Sequence, residues 1–400
     1  MPADALKPIR WKYYTPGERP EEDAARALVI AQIEAWWREF SAKAADLERM
    51  FSGQSEWDLV AWMERNLQGI DRRLMWEFGP GSGGHRLVIT PEADHHLRPL
   101  VDEILARAPS LPGWSFFAHR RAESAEQMSL AMKSRTGAEP AFTGVGLMPG
   151  ECNRIDVAFQ FPQSFLDGNG ELARTQAFLA AEALLGEDLS TDWIGVLSAV
   201  PKVEQPLPPG ALRRAFIMLG ADQRSRIPAQ PFLDRLESLA WTEIDLNPKK
   251  QEDYLLRYDL GAAVTCAPDL WRNAHSDQLF WSGRFSRSAE TFCYLKIDRG
   301  GPMRRSAVGK RIKLEDALNG ELRPARLGCV IGGGSGRRYN YIDLALTDVP
   351  AAADAIRSLL LRAGLKTRRA WLLFFDNSLG AEWIGMWPDS PPPPTRKLSG

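Results

Sequence analysis

The sequence predicts an α+β fold of repeated strand-strand-helix-strand units, each a two-layer sandwich of antiparallel sheet and helix. The first observation behind this is residues 72–120. RRLMWEF reads as a strand, 79–84 (GPGSGG) as a turn and HRLVIT as a second strand, before a helix over 94–107 and a third strand over 114–120. The second is that the same order recurs at 141–200 and at 325–377, with MPGECN and GGGSGRR in the turn position. The third is the shortness of those turns, because parallel neighbours need crossovers of about a dozen residues.

The elements follow from local patterns. From Glu21 to Met50, Ala25, Leu28, Val29, Ile33, Trp36 and Phe40 recur mostly at three- and four-residue spacing, the stripe of an amphipathic helix. A second helix is expected over Ser55–Gln68, with Ser55 as its N-cap. Leu74, Trp76 and Phe78 alternate with polar neighbours, as in a half-buried strand, and Pro91 ends the strand after it. Pro99 is tolerated only in a first helical turn, so the helix after Asp94 should become regular late. Residues 123–135 read as a helical connector. Beyond the second unit come a strand at 212–219, a helix at 229–239, strands near 241–246, 253–260, 278–285 and 290–298, and a basic loop over 299–324.

PKVEQPLPPG at 201–210 favours an extended linker, so the expected division is 1–200, a linker at 201–210, and a second domain over 211–390. PPPPTRKLSG at 391–400 reads as a disordered or polyproline-like tail.

Composition narrows the class. The chain has 400 residues, 44% apolar and 25% charged, with mean hydropathy −0.29, which fits a globular protein of two or three domains. The N-terminal residues lack the apolar core of a secretory signal, and no apolar run approaches the roughly 18 residues of a membrane span. Cys152, Cys266, Cys293 and Cys329 are scattered without a CxxC pair, so buried reduced thiols and a cytoplasmic setting are expected. Net charge is −1, yet residues 296–400 hold 18 Lys/Arg against 10 Asp/Glu. That asymmetry marks either an anionic-partner face or complementary parts of one chain.

No motif commits the chain to a reaction. Gly79-Pro80-Gly81-Ser82-Gly83-Gly84 has the letters GxGxxG, but strand follows it, whereas a dinucleotide site needs the loop to open a helix. Ser82 and Ser335 miss the GxSxG spacing. Four of the five histidines fall between His85 and His119 without HxH, HxxxH or HExxH spacing, so neither a metal site nor a cofactor is expected. Arg337 and Arg338 beside the second glycine run, with Arg368 and Arg369, are the anion-binding candidates. Trp383 and Trp387 are partner-binding candidates, on a strand that belongs either to the core or to an exposed edge. Asp156, Asp343 and Glu382 are the carboxylates to inspect first, the two aspartates standing alike in the second strands of their units.

WEFGPGSGGHRLVITPE and RPLVDEILARAPSLPGWSFFAHR resemble a segment common to uncharacterised bacterial domain-of-unknown-function families, over about residues 70–120. GGGSGRRYNYIDLAL and AEWIG are similar more faintly. The resemblance implies a bacterial cytoplasmic setting and carries over no functional residue.

Three functions remain open. The first is a non-enzymatic adaptor, regulator or immunity-type protein that engages another protein through a sheet face or edge. The second is a hydrolase or transferase with a cleft between the halves. The third is RNA or anionic-ligand binding by the basic C-terminal half. Membrane partners are not expected, and oligomeric state stays open.

Overall fold

A computed structural model of the chain describes residues 9–81, 83–300 and 305–394, with only the backbone at 305–308. In chain order the first elements are α1 (Pro20–Phe51), α2 (Leu59–Asn66), β1 (Met75–Gly81), β2 (Gly84–Thr90), α3 (Arg98–Ala106), β3 (Trp114–Phe117) and α4 (Ala125–Thr136). Next are β4 (Gly144–Pro149), β5 (Ile155–Gln160), α5 (Gln163–Leu185), α6 (Glu187–Trp193), β6 (Ile194–Val200), α7 (Leu212–Arg226), α8 (Phe232–Arg235), β7 (Thr242–Asp245), β8 (Leu260–Thr265) and α9 (Pro268–Ala274). The chain closes with β9 (Thr291–Asp298), α10 (Arg305–Leu322), β10 (Gly328–Gly336), β11 (Tyr339–Leu346), α11 (Val349–Arg362), β12 (Ala370–Phe374) and β13 (Trp383–Gly385). Sheets packed against helices make the fold α+β. No described helix is long and apolar enough to cross a membrane.

Contacts divide the chain into two compact units. One takes the residues up to Met75, 91–113 and those from Ala229 onward; the other takes 76–90 and 114–228. The division does not fall at 201–210, because that stretch belongs to the second unit's sheet. The Leu207 amide donates to the Val145 carbonyl at 2.8 Å and the Val145 amide to Leu207 at 2.9 Å. Val203 lies over Gly146 and Pro206 over Gly144, positions where a Cβ would collide. Proline keeps the segment extended, and the two glycines let it lie flat on the strand.

The three expected units share an element order but not one pairing scheme. β2 pairs in parallel with β3, and β5 in parallel with β6. In the last segment β9 lies between β11 and β12, within a seven-stranded sheet of order β13-β12-β9-β11-β10-β8-β7. Its helix layer buries Leu295, Ile297, Ile342, Leu344, Leu372 and Phe374 against Leu318, Leu322, Ile356 and Leu360. α11 forms because Asp348 caps the Ala351 amide at 3.0 Å and apolar residues recur along one stripe.

Several elements differ from expectation for identifiable reasons. Residues 212–219 are helix, since Leu212, Phe216 and Gln223 supply a helical face while Ile217 and Met218 stay exposed. Residues 305–322 are helix too. Arg311 and Glu315 occupy its inner stripe with Leu318 and Leu322, so charges disguised the apolar period. Asp58, not Ser55, caps α2. Residues 253–259 and 278–285 are not strands.

The two glycine runs play different parts. In the first, β1 ends at Gly81 and β2 begins at Gly84, as a turn there requires; Ser82 lies outside the described residues. The second is no turn at all. Gly332, Gly333 and Gly334 are buried inside β10, and the chain reverses at Arg337–Arg338. A Cβ on Gly334 would lie 2.4 Å from Leu260 Cδ2 and 2.7 Å from the Ala262 carbonyl. These glycines exist for close approach, not for backbone freedom.

Gly334→Val should therefore lower unfolding free energy by ~2–3 kcal/mol, the scale of overpacking a tight core, whereas Gly83→Ala, with open space around it, should change little. Urea titration of both variants checks this; equal effects would contradict the packing role.

Candidate functional site

Strand alternation gives the seven-stranded sheet an unusual second face. On β9 it carries Tyr294, Lys296 and Asp298, and on β11 Tyr339, Tyr341 and Asp343. The register opposes Tyr339 to Asp298, Tyr341 to Lys296 and Asp343 to Tyr294, so each cross-strand pair joins an aromatic to an ionisable group. Residues 253–259 cover this face, burying Tyr254, Arg257 and Asp259 while Leu256 and Tyr258 point outward.

Every charge on that face meets a partner from the covering segment or a neighbouring loop. Arg257 Nη2 donates to Asp343 Oδ2 at 3.0 Å, with side-chain exposures of 4% and 3%. The Arg257 guanidinium lies 5.4 Å from the Tyr294 ring and 5.3 Å from Phe375. Burial pushes the Asp343 carboxyl above the ordinary carboxylate range, with Arg257 and Arg311 opposing it. Lys296 Nζ donates to the carbonyls of Tyr254 at 2.6 Å and Leu256 at 2.9 Å and sits 4.2 Å from the Tyr339 ring centre. Burial lowers its amine to about 8, against the pull of Asp259 and Asp253.

Asp259 accepts the Arg338 amide at 2.7 Å, the Tyr339 amide at 2.9 Å and the Tyr341 hydroxyl, fixing the β10–β11 reversal. On the helix side, Glu315 rests over Gly333 beside Arg311. Burial raises the Glu315 carboxyl to about 7, with Arg311 holding it down in part.

The anion-binding candidates are engaged within this framework. Arg338 Nε and Arg369 Nε donate to Asp298 Oδ2 at 3.0 and 2.9 Å, and Arg369 Nη2 reaches Asp253 at 2.8 Å. Arg337 Nε donates to the Pro248 carbonyl, and Arg368 pairs with Asp389. The structure thus brings Arg338 and Arg369 together around one aspartate and leaves Arg337 and Arg368 apart from them. Trp383 and Trp387 are 6% and 5% exposed, which makes them core rather than surface anchors. The β13 strand is an edge, but its carbonyls are taken: Arg10 Nη1 donates to Trp383 O at 3.2 Å and Arg357 Nη2 to Gly385 O at 3.0 Å. Glu382 accepts the amides of Trp11, Lys12 and Tyr13, pinning residues 11–13 beside that edge.

The histidines have separate engagements, His96 with Arg73 at 3.0 Å and His119 with Asp188 at 2.6 Å. Asp156 does not repeat the setting of Asp343. Its Oδ1 accepts the Val196 amide at 2.7 Å, where the β5–β6 register shifts.

That bulge lies in β6, the strand that DWIGVLSAV predicts as the close of the second unit. β6 ends the order β4-β5-β6, and no strand covers its outer side among the described residues. None of its seven residues is fully buried, and Val196 is 57% exposed. Its hydrogen bonds with described residues come from the β5 side: the ladder, Asp156, the Phe161 amide and Arg154, whose Nη1 donates to Ile194 O. Seven residues without charge or proline bounded by Pro201 mark a strand, but not its place at a sheet edge, because such a run also fits a buried strand.

Two tests follow from the buried charges. Arg257→Met should cost ~3–5 kcal/mol by stranding Asp343, and Arg257→Met with Asp343→Asn should recover a large part of it; additive losses in the double-mutant cycle would deny the pairing. Glu315 titrates near 7 when folded against an ordinary 4.5, so its stabilisation is complete below about pH 4.5 and fades as pH rises through 7. Glu315→Gln should accordingly gain up to ~2–3 kcal/mol over wild type on going from pH 4.5 to pH 8, read from urea unfolding at both values; an unchanged difference would reject the burial.

No family model matches the chain. The comparison with curated proteins finds no match, and neither does the comparison with solved structures.

Proposed function

We propose that the chain is a non-enzymatic binding protein, of adaptor or immunity type, that takes an extended segment of a protein partner onto the outer edge of β6. The observation that carries this reading is the contrast among sheet edges. An exposed strand edge is a template for pairing, and proteins block edges they do not use with charges, proline, short strands or covering groups. The β13 edge has Arg10 and Arg357 on its carbonyls. β7 has four residues and carries Glu243 and Asp245, β1 carries Glu77 and Pro80, β3 has four residues, and Leu207 bridges β4. β6 has seven residues, Ile-Gly-Val-Leu-Ser-Ala-Val, with no charge or proline, and a bulge between Ile194 and Leu197 is its one irregularity.

Strand addition suits such an edge, because main-chain hydrogen bonds supply affinity and alternate side chains supply selectivity. Val196, Ser198 and Val200 share the face of Ala158 and Gln160, while Leu197 and Ala199 share that of Val157 and Phe159. An added strand would therefore meet a half-exposed face on one side and the helix-covered face on the other. The basic C-terminal part favours anion binding less, since Arg338 and Arg369 are spent on Asp298 and Asp253. The reading takes a bacterial cytoplasm as the setting, in keeping with four free cysteines.

A photo-crosslinking residue at position 196 should give a discrete protein adduct in cells, while the same residue at exposed Leu28 on α1 should not. A position-196 sample without any adduct sinks the proposal.

A further inference from the structure

We infer that the segment added to β6 carries a basic side chain, arginine or lysine, that lies across Val196 and pairs with Asp156. The inference rests on reading β6 as an open edge and names the chemistry of its occupant. The Phe161 amide donates to the Val200 carbonyl at 2.9 Å, so Ser198 and Val200 turn their main chain toward β5. Leu197 and Ala199 alternate with them and turn theirs outward. An added strand would pair through those two residues. Its residues alongside Val196 and Ser198 would project with them to the outer face of the sheet.

Residues 201–207 cross that face at its Gln160 end. Val203 lies over Gly146 and Pro206 over Gly144, and the Val203 amide donates to Gln160 Oε1 at 2.8 Å. Toward the other end, Met148 on β4, Asp156 on β5 and Val196 on β6 form one row. The outer members of the row, Met148 and Val196, are 61% and 57% exposed. The carboxylate between them is held in place. Asp156 Oδ1 accepts the Val196 amide at 2.7 Å, and a Cβ on Gly150 or Gly195 would collide with that oxygen. No described residue donates to Oδ2, which is left for a partner.

Charge selects the occupant. Glu151, in the turn between β4 and β5, is exposed, while Arg154 of that turn is buried with Nη1 on the Ile194 carbonyl. Exposed Lys202 follows the opposite end of β6. An acidic or phosphorylated segment would therefore meet Asp156 and Glu151 with like charge. Two strand spacings, about 10 Å, separate β5 from an added strand. Arginine and lysine combine a positive charge with the length to cross it, and their aliphatic stems rest on apolar side chains such as Val196.

A photo-crosslinking residue at position 198 should trap the partner in cells. Mass spectrometry of the adduct should then place an arginine or lysine within about two residues of the crosslinked site, the reach of a diagonal cross-strand pair. Asp156→Asn keeps an acceptor for the Val196 amide and removes the charge. Its affinity for the crosslinked segment, made as a synthetic peptide and followed by fluorescence anisotropy, should fall roughly 10-fold, the scale of a lost charge-assisted hydrogen bond. Replacing the peptide's basic residue by methionine should weaken wild type as much and the Asn variant little further, a coupling that misfolding would not produce. A segment with no basic residue there overturns the inference, as does an unchanged affinity for Asp156→Asn or losses that simply add. Each of those results leaves strand addition to β6 standing, whereas no adduct at position 196 or 198 removes both.

Discussion

The seven-stranded sheet depends on drying one face that carries charge. Lys296, Asp298 and Asp343 leave water together with Tyr294, Tyr339 and Tyr341, and an isolated ion in such a place is costly. Residues 253–259 make the burial tolerable because they deliver complementary groups to fixed points. Arg257 meets Asp343, Asp259 meets the β10–β11 reversal, and the Tyr254 and Leu256 carbonyls meet Lys296. A helix layer could not have done this. Helix carbonyls are tied up internally, whereas an irregular segment can turn its carbonyls toward an ammonium.

The glycine run serves both faces of the sheet, Gly332 toward Asp343 and Gly333 toward Glu315. With no side chains at 332–334, β10 lets Leu260, the Ala262 carbonyl and Glu315 approach the sheet closely. Arg311 and Glu315 are thereby drawn into the inner stripe of α10, where leucine would ordinarily sit.

Edges divide the structure in a second way. Where the seven-stranded sheet ends, guanidinium groups occupy the backbone carbonyls or acidic side chains deter pairing. Where the β4-β5-β6 sheet ends, no described strand covers the outer side of β6, whose side chains are all neutral. Asp156 strengthens the contrast, since it spends its carboxylate on the Val196 amide at the bulge and leaves the outer side untouched. The proposed recognition edge rests on that contrast.

Much of the architecture was legible in residue order. The α+β class, the long helix from Pro20, the late start of the helix at Arg98 and strands β2, β5, β9, β11 and β12 all follow from periodicity and proline placement. Local pattern misled where a residue's role is set by distant partners. GGGSG has the composition of a turn, yet it is strand because Ala262, Val264 and Asp343 lie against it. Arg337, Arg338, Arg368 and Arg369 read as a basic cluster, and only folding brings Asp298, Asp253, Asp389 and the Pro248 carbonyl to them. Trp383 and Trp387 could be read as core or edge, and burial against Arg10 and the helix layer decided for core. The sequence by itself determined which segments are helical or extended, because backbone sterics and side-chain period act within a few residues. Which charges are spent, which glycines are crowded and which strand ends a sheet were decided by tertiary structure, because those properties belong to neighbours far apart in the chain.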